Sequence, residues 1–501
     1  MLALSRRPHP ANRISATRTV RAVPSLALFV IVHWHRSDLR AVDNRGLARA
    51  ADRGAVVPVF VVDPEILSHA GPPRIAGMCD ALASLRSWYR ESGGDLVVAS
   101  GDSSAVLPRL ARELDAEAVG WNRAYSGLAR ERDLAVVAAL EEADVETVET
   151  ADALCHEPGS ITPNEGDHYS VFSYFWRKWR DREKGEPVDP PGSSALADRQ
   201  VIAEAVDGLE PVPTVEELSA EEPEGEPPTV TRERALDRLE TFCDGPIFSY
   251  ADDRDRPAEA ATSRLSVHLK WGTLGVREVY AATERATQAA PDDPARDSVS
   301  AFQRQLAWRE FYAHVLAFNP EIVTDNFREY SNPIEWREDP EELAAWKAGE
   351  TGFPIVDAGM RQLRAEGWVH NRVRMIVASF LTKDLLIDWR EGYDWYRERL
   401  ADHETANDVG GWQWASSTGT DAQPYFRVFN PTTQGERFDP EGVYIRQHVP
   451  ELAEATADEI HSWEALDPER RAAIAPDYPA PIVDHADRRE RAIRTFERAR
   501  E

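Results

Sequence analysis

The sequence predicts a chain of two unlike domains: an N-terminal α/β domain built on a doubly wound, Rossmann-like parallel sheet, and an all-α C-terminal domain. Two observations predict this. Between residues 28 and 155, continuous runs of β-branched and other apolar residues alternate with helical stretches, which is typical of a parallel sheet buried on both faces. After residue 231 no strand-like alternation recurs, and helical periodicity appears with many Trp, Tyr and Phe.

The α/β domain is predicted to begin with a buried strand in LALFVIVHW and a helix in DNRGLARAADRG. Further strands are predicted in AVVPVFVVDP, DLVVASG and AEAVGWN, with helices at residues 78–92 and 104–114 between them. No GxGxxG motif follows the first strand. The domain is therefore not expected to hold a dinucleotide in the common Rossmann manner.

Composition shifts set the expected boundaries. Residues 1–27 contain five Arg and no acidic residue, which favours a disordered tail or a start codon assigned too early over a transit peptide. A connector is expected over residues 156–232, and its Pro-, Gly- and Glu-rich part, 183–230, reads as solvated. The helical domain is expected over 233–485, and a C-terminal tail over 486–501.

The charge balance is strongly acidic, with 87 Asp and Glu against 58 Lys and Arg and a net charge of −29. Almost all of the cations are Arg. This balance is typical of proteins that work in concentrated salt, although a GC-rich genome favours the same residues. It argues against general polyanion binding but leaves room for a local positive groove that binds DNA. No membrane span is visible, and the three widely spaced cysteines indicate neither a disulfide framework nor a metal site, which fits a cytoplasmic protein.

Three segments carry possible chemistry. TSRLS, residues 262–266, precedes an amphipathic pattern and would suit an anion at a helix start, although an ordinary helix cap explains it as well. In the predicted helix WVHNRVRMIVASFLTKDLLIDW, Asn371 and Arg374 lie among large apolar residues. There they would bind a ligand, or they would form hydrogen bonds with buried backbone groups or pair with a carboxylate. In the third segment, residues 402–431, Gly410 and Gly411 lie beside Trp412 and Trp414, a density that favours contact with a flat ligand.

The chain resembles the DNA photolyase and cryptochrome family over nearly its whole length from residue 30. The resemblance is carried by WHRSDLRAVDNRGL, TSRLS, LAWREFYAHVL, TGFPIVDAGMRQL, GWVHNRVRM, GGWQWASSTGTDAQPYFRVFNP and GERFDPEGVYIRQ. It implies an N-terminal antenna domain and a helical domain that holds FAD in a bent conformation.

The resemblance also implies which side chains surround the FAD. The implied diphosphate and ribitol contacts are Tyr250, Thr262, Ser263, Arg264, Leu265 and Ser266, and Arg309 is a further implied FAD contact. Around the isoalloxazine, Arg374 is expected to pair with Asp402, beside Asn371, Glu404 and Asp408. Asp408 stands where repair enzymes usually carry Asn, and a buried Asp with a raised pKa would donate a proton to the photoreduced flavin.

Three tryptophans fall at the family's electron-transfer positions. Trp412, Trp389 and Trp336 would form a relay from the flavin to the surface. The implied lesion pocket contains Gln305, Trp308, Met375 and Trp414, and the implied DNA-backbone contacts are Arg254, Arg372 and Arg427. Gln305 replaces a Glu that repair enzymes usually carry, so repair is expected to be weakened but not lost.

The sequence therefore predicts a monomeric, FAD-dependent photolyase that repairs cyclobutane pyrimidine dimers in damaged DNA. The alternative is a cryptochrome photoreceptor whose signalling partner the sequence does not identify, and a flavin oxidoreductase is disfavoured because no nicotinamide site is visible. In the α/β domain, Asn122 matches a polar antenna position, whereas Ser126 replaces the Glu of folate-binding members. The antenna chromophore is left open between a deazaflavin, a folate and none.

Overall fold

The N-terminal half is a five-stranded parallel sheet covered by helices. The computed structural model describes residues 29–206, 209–219 and 221–501, so the predicted tail or misassigned start, residues 1–27, lies outside the described residues. The strands are β1 (Val30–His35), β2 (Ala55–Val62), β3 (Val97–Ser100), β4 (Ala116–Asn122) and β5 (Glu146–Thr150). Their order is β3-β2-β1-β4-β5, with every neighbouring pair parallel. The chain reverses its winding between β1 and β4, and in such sheets ligands bind outside the carboxyl ends of those strands.

Five helices flank this sheet: α1 (Arg45–Ala51), α2 (Pro64–Ser68), α3 (Pro72–Glu91), α4 (Ser103–Glu113) and α5 (Gly127–Glu142). Helix α3 begins six residues before the predicted helix, because prolines occupy its first positions, where the missing amide hydrogen costs nothing. Strand β5 escaped prediction because it lies at the sheet edge, where its residues are exposed or only half-buried and carry no apolar run.

The prediction of a solvated connector is wrong in part, because apolar residues of this segment are buried against both halves of the molecule. Three helices form between the two halves: α6 (Phe172–Arg180), α7 (Arg199–Ala205) and α8 (Val215–Leu218). Ile202 on α7 is fully buried in the cluster that packs one face of the sheet. The Pro- and Glu-rich composition hid these short apolar anchors.

The C-terminal half is helical, as predicted. Its helices are α9 (Arg232–Asp244), α10 (Tyr250–Asp253), α11 (Ser266–Trp271), α12 (Val276–Ala289), α13 (Asp293–Phe318), α14 (Pro340–Ala348), α15 (Pro354–Glu366), α16 (Asn371–Ser379), α17 (Trp389–Arg399), α18 (Thr405–Ser416), α19 (Pro431–Phe438), α20 (Val443–His448), α21 (Ala457–His461), α22 (Pro468–Ile474) and α23 (His485–Arg500). The long α13 runs through the largest apolar core of the molecule.

Two predicted segments differ in this half. The amphipathic pattern after TSRLS is two helices, α11 and α12, because Gly272 adopts a left-handed conformation (φ +65°) and lies against the Ser37 backbone, 2.3 Å from where its Cβ would be. The predicted C-terminal tail is helix α23, whose buried Phe496 packs against Trp336.

Buried polar contacts join the two halves. Arg277 on α12 is fully buried and donates to Asp43 at 2.7 Å and to Asp152 at 2.5 Å. Glu310 on α13 accepts hydrogen bonds from the backbone amides of Cys155 and His156 at 2.8 and 3.0 Å. Burial raises the pKa of Glu310 to about 7. The relative placement of sheet and helices is therefore fixed by charged groups with little access to water. No helix among the described residues has the length and apolarity needed to cross a membrane.

Candidate active site

Two side chains that the sequence pairs beside the flavin form a buried ion pair. Arg374 on α16 donates through one terminal nitrogen to both carboxylate oxygens of Asp402, at 2.7 and 2.9 Å. Its Nε donates to the carbonyl oxygen of Val369 at 2.9 Å, which fixes the guanidinium plane. Burial acts to lower the pKa of Arg374, but the charges of Asp402 and Asp408 raise it above its usual value. The guanidinium therefore stays charged.

The prediction that the pKa of Asp408 is raised is wrong. Burial acts in that direction, but the Nδ1 atom of His403 lies 2.7 Å from one carboxylate oxygen. The guanidinium of Arg374 lies 3.8 Å from the other oxygen, and the backbone amide of Glu404 donates at 3.1 Å. These contacts together lower the pKa of Asp408 below its usual value. Asp408 is therefore an ionised carboxylate and does not carry the proton that the sequence assigned to it.

Helix α18 is positioned by its first residues and its glycines. Glu404 is the N-cap, and its Oε2 accepts from the backbone amide of Asn407 at 3.1 Å, so the carboxylate is engaged by its own helix. Gly410 lies against the ring of Tyr312, and a Cβ there would be 2.3 Å from it. Packing between α18 and α13 therefore explains Gly410, whereas the space beside Gly411 is open.

The predicted helix around residues 368–389 is shorter than the pattern indicates. His370 is the N-cap of α16, and its Nδ1 accepts from the backbone amide of Arg372 at 3.1 Å. Trp368 therefore lies before the first residue of α16 and is not on any face of that helix. A π-helical turn, Phe380–Asp384, follows α16. Within α16, Asn371 is exposed and its side-chain nitrogen lies 3.9 Å from the sulfur of the half-buried Met375.

The TSRLS segment lines a cavity of the helical half. This cavity has a volume of about 690 Å³, and Thr262, Ser263 and Arg264 contribute to its wall together with Trp368 and His370. Arg264 has a positive φ of 49°, which is rare for a residue with a side chain and marks local strain. Its guanidinium stacks 4.1 Å from the Trp368 ring centre. Leu265 and Ser266 begin α11 behind this wall.

The buried Arg74 and the half-buried Lys270 interact with carboxylates of α18 and its N-cap. Burial lowers the pKa of Lys270 to about 8, and Glu404 and Asp408 act against that shift. Arg74, from the sheet domain, has a pKa lowered to about 10 by burial and also interacts with Asp408. Sequence analysis missed Lys270 and Arg74, because nothing local to either residue indicates that the fold brings them together. Arg309, which was predicted, donates to the carbonyl oxygen of Ala153 at 3.1 Å.

The three tryptophans that were predicted to form a relay lie on or beside the neighbouring helices α17 and α18. Trp412 is buried on α18 and its ring lies against Gly392, one helical turn along α17 from the buried Trp389. The indole nitrogen of Trp389 donates to Asn326 at 2.9 Å. Trp336 is half-buried. The residue after it, Arg337, forms a parallel β-bridge with Ile387, two residues before Trp389. Burial therefore decreases from Trp412 and Trp389 to Trp336.

The predicted lesion-pocket residues lie around α13 and α18. Trp308 stacks on Phe172 with the two ring centres 3.6 Å apart and the planes at 9°. Trp414, on the facing helix α18, lies 6.5 Å from Phe429. Gln305, half-buried one turn before Trp308, donates to the carbonyl oxygen of Ala301 at 3.1 Å.

The three predicted DNA-backbone arginines differ in their surroundings. Arg372 pairs with Asp255 at 2.8 Å. The guanidinium of Arg254, the residue before Asp255, lies 5.8 Å from the ring centre of the buried Tyr250. Arg427 is exposed. Arg372 is thus joined through Asp255 to the segment that carries Arg254.

The predicted antenna position is already occupied by protein contacts. Asn122 ends β4, accepts from the backbone amide of Gly46 at 3.0 Å, and donates to Asp38 and Asn44. Ser126 is the N-cap of α5. The side chain of Asn122 therefore has no free group to offer an antenna chromophore.

Two family models match: one described as DNA photolyase over residues 31–192, and one described as the FAD binding domain of DNA photolyase over residues 302–498. A deoxyribodipyrimidine photo-lyase from Halobacterium salinarum is 57% identical over 478 residues, which cover 93% of this chain and 98% of the relative.

Solved structures show the same fold. A bacterial class III photolyase from Agrobacterium tumefaciens superposes with a TM-score of 0.85 at 34% identity, covering 96% of this chain and 99% of the other. An archaeal photolyase from Sulfolobus tokodaii, solved with two FAD molecules, gives 0.81 at 30% identity, with coverages of 94% and 100%. A cryptochrome from Synechocystis gives 0.85 at 25% identity, with coverages of 93% and 99%. On its motifs, its helical site and these similarities, the chain belongs to the DNA photolyase family.

Proposed function

We propose that this protein is a deoxyribodipyrimidine photo-lyase, which binds FAD in its helical half and repairs cyclobutane pyrimidine dimers in DNA under blue light. The observation that carries the proposal is the 57% identity to a haloarchaeal protein of that name over 98% of its length. The strongly acidic composition of this chain, with a net charge of −29, suits a similar salt-rich cell.

The residues of the helical half fit FAD. A diphosphate requires cations and hydroxyl donors, which Arg309, Lys270 and the hydroxyls of Thr262 and Ser263 supply in a chain that is otherwise acidic. The buried polar atoms without a protein partner include the indole nitrogen of Trp412 and the hydroxyl of Tyr396. Bound FAD supplies an excited donor of single electrons under blue light. Arg374, held by Asp402, offers a fixed positive charge to an anionic ring system.

The chain's own residues would hold the lesion and the DNA around it. A pyrimidine dimer stacks and pairs poorly, so it is cheap to flip out of the duplex into an aromatic-walled pocket. Trp308 and Trp414 supply large apolar surfaces on facing helices, and Met375 supplies an adaptable one. Arg254, Arg372 and Arg427 would neutralise phosphates at the rim.

The cryptochrome alternative is less well supported. It rested on Gln305 and on a protonated Asp408, and the contacts of His403 and Arg374 keep Asp408 ionised. The relatives named as photo-lyases include proteins from Halobacterium, Synechococcus and Escherichia coli, each matched over more than nine tenths of its length.

A direct repair assay tests the proposal. Purified protein is loaded with FAD, chemically reduced, and mixed with an oligonucleotide that contains one thymine dimer. We expect the dimer to disappear under blue light and to persist in the dark, as followed by chromatography of the strand. Reduced, FAD-loaded protein that binds the oligonucleotide but leaves the dimer intact under light would refute the repair function and restore the photoreceptor alternative.

We further propose that residues 28–155 form the antenna domain, that residues 233–485 form the catalytic domain, and that the protein acts as a monomer. Because chromosomal DNA is its substrate, we place it in the cytoplasm. Sedimentation of the DNA-free protein tests the monomer. The absorption spectrum of the purified protein tests for an antenna chromophore, since a folate or a deazaflavin adds its own band to that of the catalytic FAD. The molar ratio of released FAD to protein tests for a second FAD.

A further inference from the structure

Two histidines and an aspartate form a buried cluster at the carboxyl end of β1. His33 and His35 are two residues apart on the strand, so they share one face of the sheet, and Asp38 follows three residues after the strand ends. Both histidines are fully buried, and Asp38 is 6% exposed. The sheet reverses its winding between β1 and β4, and ligands bind at this edge in sheets of this kind.

The polar atoms of the three side chains converge. The Nε2 atom of His33 lies 3.5 Å from the Oδ2 atom of Asp38, and the Nδ1 atom of His35 lies 3.7 Å from the same oxygen. One such atom from each side chain lies within 4.8 Å of the other two. These separations are too long for good hydrogen bonds. They are close to the spacing of about 3.3–3.6 Å between neighbouring ligands of a tetrahedral Zn²⁺ ion, whose bonds to nitrogen and oxygen are about 2.0–2.2 Å long.

The imidazole of His33 has nothing to bind in the protein. Neither of its ring nitrogens has a hydrogen-bond partner among the residues that the structure describes. A buried polar atom without a partner costs about 1–3 kcal/mol. Burial, reinforced by the nearby His35, lowers the pKa of His33 to about 4, so the ring is neutral and keeps a free lone pair. A neutral imidazole is the form that binds a metal ion.

The groups around the cluster orient its other two members. Asn44 donates to the Oδ2 atom of Asp38 at 3.1 Å, and Asn122 donates to the same atom. The Nε2 atom of His35 lies 2.7 Å from the hydroxyl of Tyr89. Metal sites use hydrogen bonds of this kind to hold their imidazole and carboxylate ligands. The Nδ1 atom of His35 also lies 3.1 Å from the carbonyl oxygen of Asp38, and a metal ion at Nδ1 would replace that contact.

We propose that His33, His35 and Asp38 bind one Zn²⁺ ion, with the carbonyl oxygen of Asp38 or a water molecule completing its coordination. Two imidazoles and a carboxylate are a donor set that suits this ion. Because its ligands are buried, the ion would stabilise the fold and not act on a substrate. It would join β1 to the turn after it and, through Asn122, to the end of β4. The site belongs to the sheet domain and does not depend on the proposed repair function.

Metal analysis of the wild-type protein tests the site. Protein without a metal-binding tag is produced in medium supplemented with Zn²⁺ or with Co²⁺ and freed of loose metal by gel filtration. We expect about one Zn²⁺ per chain by mass spectrometry of the elements. We also expect the visible d–d bands of Co²⁺ in the difference spectrum between the two preparations, in which the FAD band cancels. Wild-type protein that holds neither ion would overturn the proposal.

Variants assign the ion to this cluster. His33→Leu removes one ligand but replaces an imidazole that has no hydrogen bonds with an apolar side chain, so we expect a folded protein that binds FAD and has lost the metal. Tyr89→Phe removes only the hydroxyl beside His35 and should weaken metal affinity about tenfold, as measured by competition with a chelator.

His69→Gln is the matched control, because His69 is an exposed histidine of the same domain, and it should keep the ion. Circular dichroism and bound FAD report whether each variant folds. Folded His33→Leu that retains a full equivalent of metal would place the ion elsewhere and overturn the site. If His33→Leu does not fold, Tyr89→Phe decides, and an unchanged affinity in that variant would overturn the site as well.

Discussion

The Cβ position of Gly392 on α17 lies 2.1 Å from the indole ring of Trp412 on α18. No side chain fits in that space, so this contact sets how closely the two helices approach. It also sets the separation between Trp412 and Trp389, which lies one turn from Gly392. Even a methyl group at position 392 would therefore change the distance between the two tryptophans of the proposed electron relay.

Replacing Gly392 with Ala should displace the indole of Trp412. We expect Gly392→Ala to lower the free energy of unfolding by about 1–3 kcal/mol through overpacking, and to slow photoreduction of FAD. Urea unfolding and the rate of bleaching under blue light measure the two effects. Gly411→Ala is the control, because no atom lies within 4 Å of its Cβ position and the added helix propensity is worth about 1 kcal/mol. Normal stability and photoreduction in Gly392→Ala would contradict the packing argument.

Trp412 and Trp346 offer a matched pair for the relay. Their ring centres are 6.0 Å apart, but Trp346 is fully buried and donates to the carbonyl oxygen of Val377, away from the path to Trp336. We expect Trp412→Phe to reduce the rate of photoreduction by at least about tenfold, since that removes the first donor. Trp346→Phe should instead keep the wild-type rate of photoreduction. Its free energy of unfolding should fall by about 1 kcal/mol, because the hydrogen bond to Val377 is lost. Transient absorption distinguishes the two, and equal photoreduction in both variants would remove Trp412 from the relay.

Gln305 limits repair in the proposed mechanism. Its side-chain nitrogen donates to the carbonyl oxygen of Ala301, and a neutral amide makes a weaker hydrogen bond to a lesion that gains negative charge than a protonated carboxyl group does. We expect Gln305→Glu to raise the repair yield per absorbed photon about fivefold, a gain of about 1 kcal/mol. Gln288→Glu is the control, because Gln288 is exposed on α12 and is not among the predicted lesion-pocket residues. A lower repair yield in Gln305→Glu would show that this position does not touch the lesion.

Glu310 and Asp408 should make stability depend on pH in opposite directions. Because the pKa of Glu310 is raised to about 7, its stabilising contribution is complete below the unfolded pKa near 4.5 and is lost as the pH rises through 7. Because the pKa of Asp408 is lowered, its contribution is present above the unfolded pKa near 4 and is lost as the pH falls through the folded value.

Substitution separates these two contributions. Between pH 4.5 and 8, the unfolding free energy of the wild type should decline, and Glu310→Gln should abolish about 3 kcal/mol of this decline. The amount follows from the rise in the pKa of Glu310 from 4.5 to about 7, since each pKa unit is worth 1.36 kcal/mol. Asp408→Asn should leave that range unchanged and flatten the acid limb below pH 4. Denaturant unfolding of the FAD-free protein across pH measures both slopes. A wild-type decline that persists unchanged in Glu310→Gln would assign it to other groups.

Much of the fold could be read from local sequence. Four of the five strands follow from apolar runs, because strands buried on both faces exclude polar residues. The fifth, β5, lies at the edge and carries no such run. The break at Gly272 could not be read from periodicity, since it depends on contact with Ser37 in the other domain.

The sequence by itself determined the two-domain fold, through its alternating apolar runs and its later helical periodicity, and the family, through the order and spacing of long motifs such as the one around Trp412 and Trp414. Tertiary structure alone decided the ionisation of Asp408, the approach of Arg74 and Lys270 to it, and the position of α6 beside Trp308. The physical reason is that a pKa, a close approach and a ring stack each depend on groups that are distant in sequence or oriented only by packing.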